Sequence, residues 1–305
     1  MKIGASVWPF KWRPPYEDAV VRIAGLGFKA IELIAWDRDT LDNYYTPAKI
    51  RALRDLIASE GLELSEFVST PPGMASGDPQ RREAAVDHFK RLVEVGTELG
   101  AGLINTVSPY PFDIPFPRIT SLPLVQQVYV DIPPHLDWDQ NWRDYVEVMR
   151  RCVALCEAAG TRYALEPHPY RYMANAASML RLIEQVGSEA LGMNLDPSHL
   201  FPCGEIPQVV VYQLGKRILH CHFSDNDGVT NVHWRPGRGK IDWKEVLIAL
   251  QAVGFDGVIS IELEDVPGTA THDSGGVAGP AFDTENVLSM RYIQALCAEI
   301  GIEMA

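Results

Sequence analysis

The sequence is short of positive charge. Its 305 residues carry 27 Lys and Arg against 40 Asp and Glu, a formal net charge of −13. A nucleic-acid partner is held through its phosphates by clustered cations, so this balance argues against one. Several motifs are missing as well. No Cys-x-x-Cys pair, Gly-x-Gly-x-x-Gly loop, phosphate-cradling loop or Gly-x-Ser-x-Gly elbow occurs, which leaves dithiol, nucleotide and esterase chemistry without a motif. No apolar run approaches the ~18 residues a membrane span needs. Cysteine is scarce and odd in number: Cys152, Cys156, Cys203, Cys221 and Cys297. They read as packing thiols in a reducing compartment, and with no signal-like leader before Lys2 the expected location is cytoplasmic.

Metal-binding groups, by contrast, stand at the ends of short apolar runs. Ile218-Leu219-His220-Cys221-His222-Phe223-Ser224-Asp225 is one such stretch. Tyr163-Ala164-Leu165-Glu166, Leu191-Gly192-Met193-Asn194-Leu195-Asp196 and Val258-Ile259-Ser260-Ile261-Glu262 are three more. Runs this short and apolar read as parallel strands buried on both faces. Carboxylates and an imidazole at their C-terminal ends lie where a (β/α)8 barrel keeps its chemistry.

The rest of the chain keeps that rhythm. Strand-like segments at 2–6, 30–34, 62–68 and 103–107 precede the four above, with helical periodicity between them. Helices are expected at 16–26, 46–60, 78–100, 141–160, 176–186, 206–214, 243–253 and 283–301. Eight strands alternating with eight helices predict an α/β fold, a (β/α)8 TIM barrel in a single domain over 1–305. A doubly wound open sheet shares the alternation and is the competing fold. Apolar content of 47% with 22% charged residues is ordinary for a globular core. One irregularity stands out: 108–139 is rich in Pro, aromatic and β-branched residues without helical period. A loop of that length inside a compact domain is usually functional, and this one follows strand four on the catalytic side.

Glu166, Asp196, His222 and Glu262 are therefore the expected ligands of one divalent metal ion. His220, two residues before His222, shares its inward parity and is expected one layer deeper. His168, in Glu166-Pro167-His168-Pro169, is a candidate acid/base group with Glu166 and Glu262. His199 and Asp225 are expected to contact substrate, Asp225 alternatively to orient His222. His233, Arg235 and Arg238, in a loop with Gly237 and Gly239, suit an anionic or polyhydroxy ligand. Trp8 and Trp36, on connections after strands like Trp138 and Trp234, suit the apolar face of a sugar ring, and Glu32 joins this substrate-binding set.

The string of Glu166, Asp196 with His199, His222 with Asp225, Pro236-Gly237-Arg238-Gly239-Lys240-Ile241-Asp242-Trp243 and Gly254-Phe255-Asp256-Gly257-Val258-Ile259-Ser260-Ile261-Glu262 resembles the xylose isomerase-like TIM barrels. The sugar phosphate isomerase/epimerase family is the group it resembles within them. The resemblance implies a metal site of Mn²⁺ first, with Co²⁺, Mg²⁺ or Zn²⁺ as alternatives. It also implies a sugar isomerase or epimerase that abstracts a proton next to a carbonyl and passes through an enediolate. In the ketose 3-epimerases of this group a second Glu follows the strand-five ligand by six residues, and an Arg follows the ligand His by six. Here those places hold Tyr172 and Gly228, which argues against that particular specificity.

Two other activities share the resemblance. One is a lyase on oxo-sugars, like the large subunit of a C-glycoside deglycosidase or an inosose dehydratase. The other, more remote, is an endonuclease IV-like nuclease, which the −13 charge disfavours. The expected substrate is a sugar, oxo-sugar or glycoside. A second copy of the chain or a small partner subunit is the expected association.

Overall fold

In the computed structural model, residues 1–114, 134–271 and 275–304 are described. Eight strands close in chain order into a parallel barrel, β1 pairing with β8. They are β1 (Lys2–Ser6), β2 (Ala30–Ala35), β3 (Glu63–Ser69), β4 (Leu103–Val107), β5 (Arg162–Glu166), β6 (Leu191–Leu195), β7 (Ile218–Phe223) and β8 (Val258–Ile261). The helices between them are α1 (Glu17–Gly25), α2 (Pro47–Ser59), α3 (Pro79–Leu99), α4 (Trp138–Ala158), α5 (Ala176–Val186), α6 (Pro197–Leu200), α7 (Pro207–Leu214), α8 (Trp243–Ala252) and α9 (Pro280–Glu299). The closed barrel settles the fold in favour of the (β/α)8 reading over the open sheet.

The strands are buried on both faces because one face fills the barrel and the other lies under helices. Every residue of β2, β6 and β8 is buried. Helix starts follow from capping chemistry. Thr46, Asp78 and Asn175 accept hydrogen bonds from first-turn N–H groups of α2, α3 and α5, which meets donors a helix end leaves open.

Three details differ from the expectation. Asp137 accepts from the Gln140 N–H, so α4 begins at Trp138 rather than 141, and Trp138 is an exposed helical residue rather than part of a connection. A one-turn helix, α6, follows β6, giving nine α-helices among the described residues instead of eight. The last helix starts at Pro280, a fixed-φ residue suited to a first turn, not at 283.

Most of the 108–139 segment falls at 115–133, outside the described residues, as do 272–274, shortly before α9. All five cysteines are free thiols, four of them buried. Among the described residues no helix is long and apolar enough to cross a membrane.

Candidate metal centre

The four expected ligands reach one point from four consecutive strands. Glu166 is the last residue of β5, Asp196 follows β6, His222 is the penultimate residue of β7 and Glu262 follows β8. One ligand atom from each lies within 4.8 Å of the others, and all four residues are buried. His222 Nδ1 is 3.0 Å from Glu166 Oε1 and 3.1 Å from Glu262 Oε2.

The outer atoms of two ligands are held from behind. Trp8 Nε1 donates to Glu262 Oε1 at 2.9 Å. The Ser198 N–H and hydroxyl donate to Asp196 Oδ1 at 2.7 and 2.5 Å. Asp196 Oδ2 and Glu262 Oε2 are then left buried without a hydrogen-bond partner; the His222 Nδ1 contact to Glu262 is close but lacks hydrogen-bond geometry. An unmet buried acceptor costs about 1–3 kcal/mol. Two such atoms beside a glutamate and an imidazole fit a divalent cation with oxygen-rich coordination.

Packing three carboxylates together raises the cost of their charge. Burial, partly offset by His222, pushes the Glu166 carboxyl up to about 7, and Glu262 moves in the same direction for the same reason. Burial opposes charge on Asp196 too, but His199, His233 and Ser198 hold its carboxyl below the usual range. Burial would make the His222 ring neutral, yet Glu262, Glu32 and Glu166 raise it well above its ordinary value. In the metal-free site a proton on His222 thus occupies the place of positive charge.

Three more histidines line the same mouth. His168 and His199 have ring centroids 3.4 Å apart, and His168 Nε2 lies 3.9 Å from Glu166 Oε2. Burial, then the neighbouring His199, holds His168 well below its ordinary value, so it is neutral near pH 7. His199 Nε2 is 3.4 Å and His233 Nε2 3.6 Å from Asp196 Oδ2. Their far nitrogens meet Asn231 Oδ1 at 2.9 Å and Asp265 Oδ2 at 3.5 Å.

Aromatic rings close one side. Trp8 packs edge-on to His222 with centroids 5.8 Å apart. Trp36 meets Trp8 edge-on at 6.4 Å and stacks on Trp12 at 4.4 Å.

Other expected contacts lie elsewhere. Glu32, assigned above to substrate, sits in mid-β2 beneath His222, fully buried and bonded to Ser6, His220 and His222. Mid-strand placement removes it from the mouth. Asp225 neither touches His222 nor opens to the mouth. Its carboxylate accepts from the Asn226, Gly237 and Ile241 N–H groups and Trp243 Nε1, at 2.9 to 3.2 Å. It folds the 225–243 loop, which also explains Gly239: a Cβ there would lie 2.3 Å from Asp225 Oδ1. Arg235 pairs with Glu285 at 3.2 Å and the Arg238 guanidinium lies 5.4 Å from the Trp234 ring centre, both at the rim. Tyr172 is packed among Trp138, Trp142 and Tyr145, stacked on the last, away from the ligands.

The sequence reading passed over Glu66, Asn105 and Asn194, all buried beside or below His222. Their only signal was a polar residue inside a strand-like segment. It also passed over Asn231 and Asp265 behind the histidines.

Comparison with known proteins agrees with the fold. Residues 20–281 match the family of xylose isomerase-like TIM barrels. The chain belongs to that family. An uncharacterised protein of Methanocaldococcus jannaschii is 30% identical over 87% of this chain and 85% of its own length. D-psicose 3-epimerase of Ruminiclostridium cellulolyticum is 23% identical over 84% of this chain and 81% of its own. A solved D-psicose 3-epimerase from Clostridium cellulolyticum, with D-tagatose, superposes with a TM-score of 0.78 at 21% identity, covering 97% of this chain and 99% of its own. At that identity the superposition speaks for the fold.

Proposed function

We propose that this protein is a divalent-metal-dependent sugar isomerase or epimerase that abstracts a proton next to a carbonyl and passes through an enediolate. The observation that carries the reading is the convergence of Glu166, Asp196, His222 and Glu262, with two buried carboxylate oxygens that make no hydrogen bond. These four residues would hold the cation, Mn²⁺ in the first instance, with Co²⁺, Mg²⁺ or Zn²⁺ as alternatives. When bound, it supplies positive charge at a carbonyl oxygen and so lowers the cost of the negative charge that develops there.

The chain's own groups do the rest. Glu166 and Glu262 both flank His222 Nδ1, at 3.0 and 3.1 Å, and are the carboxylates we assign to a sugar carbon held at the mouth. One takes the proton from carbon and the other, or His168, returns it; returning it to the same carbon from the opposite face epimerises, and to the neighbouring carbon isomerises. His168 is neutral and within reach of Glu166, which suits it to relay a proton. With its Nδ1–H spent on Asn231, His199 offers the Nε2 lone pair to a sugar hydroxyl. His233 stays engaged with Asp196 and Asp265, and Trp8 and Trp36 present an apolar wall to the ring of the sugar. Arg235 and Arg238 would meet only a substrate long enough to reach the rim. Free, mostly buried thiols suit a reducing cytoplasm.

The test is solvent-deuterium exchange followed by NMR, with Mn²⁺-loaded protein and a panel of ketoses, inososes and 3-oxo-glucosides including a C-glycoside. Deuterium next to the carbonyl with the skeleton retained supports the proposal. Release of water or an aglycone moves the assignment to a lyase on oxo-sugars. No exchange with any of them removes the carbonyl mechanism and raises the nuclease reading.

A further inference from the structure

Beneath the candidate centre lies a second polar layer that the proposed reaction does not use. Ser6, Glu32, Glu66, Asn105, His220 and Ser260 come from five of the other strands and from β7, and none is more than 1% exposed. Buried carboxylates persist only where they are paired, so this layer has a role worth its cost.

His222 is its link to the centre. Nδ1 faces Glu166 and Glu262, while Nε2 faces down, 3.1 Å from Glu32 Oε2 and 3.4 Å from Glu66 Oε1. Glu32 is itself fixed: Ser6 Oγ donates to Oε2 at 3.0 Å, and His220 Nε2 lies 2.8 Å from Oε1 and 3.1 Å from Ser260 Oγ. Glu66 is engaged sideways, with Asn105 Nδ2 donating to Oε1 at 2.8 Å.

A neutral imidazole has one N–H and one lone pair, and the partner of one nitrogen decides which of them the other presents. His222 has a competing partner. Asn194 Nδ2, a donor, lies 3.1 Å from Nε2 and 3.2 Å from Nδ1. Left to Asn194 alone, the ring could place its lone pair at Nε2 and an N–H toward the carboxylates, where it would bind no metal.

We infer that Glu32, braced by Ser6 and His220, is a positioning residue that takes the His222 Nε2–H and turns the Nδ1 lone pair into the carboxylate cluster. The inference rests on the metal reading above. Carboxylates behind ligating histidines typically change metal affinity 10- to 100-fold.

The experiment compares wild type, Glu32→Gln and Glu66→Gln by calorimetric titration with Mn²⁺, and by ¹⁵N NMR of the histidine rings in the Zn²⁺-loaded proteins. Both variants remove one buried charge near His222 Nε2, but only the first exchanges the proposed carboxylate acceptor for a neutral amide, which accepts the Nε2–H more weakly. We expect Mn²⁺ affinity to fall about 10- to 100-fold in Glu32→Gln and clearly less in Glu66→Gln, and the His222 Nε2–H resonance to move upfield only in the first. Equal losses in the two would make the effect one of net charge and overturn the inference. So would affinity within twofold of wild type with an unchanged His222 signal. Wild type that binds no divalent ion would instead sink the metal reading itself. Should Glu32→Gln fail to fold, Ser6→Ala removes one brace with little volume change; a loss of a few-fold with a shifted His222 signal is expected, and no change in either overturns the inference.

Discussion

The two halves of the barrel use polar residues in opposite ways. In β1 to β4 the inward groups Glu32, Glu66 and Asn105 stand in mid-strand, with Ser6 at the end of β1. They mostly bond one another or the histidines of β7, although Glu66 Oε2 and Asn105 Oδ1 keep no partner. In β5 to β8 the carboxylates stand at or just past the strand ends, and there Asp196 and Glu262 each keep an oxygen free of hydrogen bonds. The same residue types thus become a floor bonded largely within itself in one half and a ligand cluster at the strand ends in the other. Position along the strand makes the difference. A group in mid-strand meets the bonding partners of its own layer, whereas one at the mouth meets the other ligands and the histidines of the loops.

The largest effect that would sharpen this comparison is expected at the open cluster. Glu262→Gln keeps the shape and the Trp8 contact but removes a ligand charge. Turnover should fall below detection and Mn²⁺ affinity should drop at least tenfold, with far-ultraviolet circular dichroism unchanged. Full activity in that variant would remove Glu262 from the site and break the comparison at its stronger end.

Next comes the loop that walls the second half. Asp225 gathers four donors, each bond to a charged acceptor being worth about 1.5–3 kcal/mol. Asp225→Ala should lower the thermal midpoint by about 5 °C or more and raise KM more than it lowers kcat, because the loop carries His233 and Arg235 rather than the ligands. Wild-type stability would show that the loop is held by other contacts.

How much of this was legible beforehand divides along the same line. Glu166, Asp196 and Glu262 could be read because each ends an apolar run, and Pro167 or Pro197 after two of them stops the strand. Glu32 and Glu66 could not, because Leu33-Ile34 and Phe67-Val68 continue their runs. A polar residue followed by more apolar strand looks the same whether it serves a floor or a mouth, and so Glu32 was assigned to substrate. Asp225 misled for a different reason. It follows β7 directly, as Asp196 follows β6, and only the loop's return through Gly237, Ile241 and Trp243 shows where its oxygens are spent. The α6 turn is too short for periodicity to reveal.

The pH dependence of the metal-free protein tests the electrostatics of the open half. Glu166 and Glu264, pushed up to about 7 chiefly by burial, contribute stability that is lost as pH rises from about 4.5 to 7. His168 and His199, lowered chiefly by burial, lose stability as pH falls below 6.5, so the two sets oppose each other there. Above pH 7 the imidazoles of His222 and His233 dominate. Burial works against their charge, but Glu262, Glu32 and Glu166 around His222, and Asp196 and Asp265 around His233, raise both. A raised imidazole stabilises the fold while protonated, and that contribution disappears as pH rises through the raised value. The metal-free thermal midpoint should therefore fall by a few degrees from pH 7 to 9. Bound Mn²⁺ replaces the proton on His222, so the loaded protein should show a smaller fall. Parallel curves with and without metal would mean that His222 does not exchange its proton for the ion.

The smallest effect is expected on the outer surface of the first half. Arg151 of α4 pairs with Glu83 of α3 through both oxygens, with the two side chains 40% and 65% exposed. Water screens such a pair and side-chain entropy opposes it, so its net worth is small. Arg151→Ala should move the thermal midpoint by less than about 2 °C and leave Mn²⁺ affinity and turnover as in wild type. The variant lies outside the barrel wall and touches neither the floor nor the mouth. A measurable loss of metal affinity in it would mean that the α3–α4 surface communicates with the centre, and the contrast between the halves would no longer be one of position along the strand.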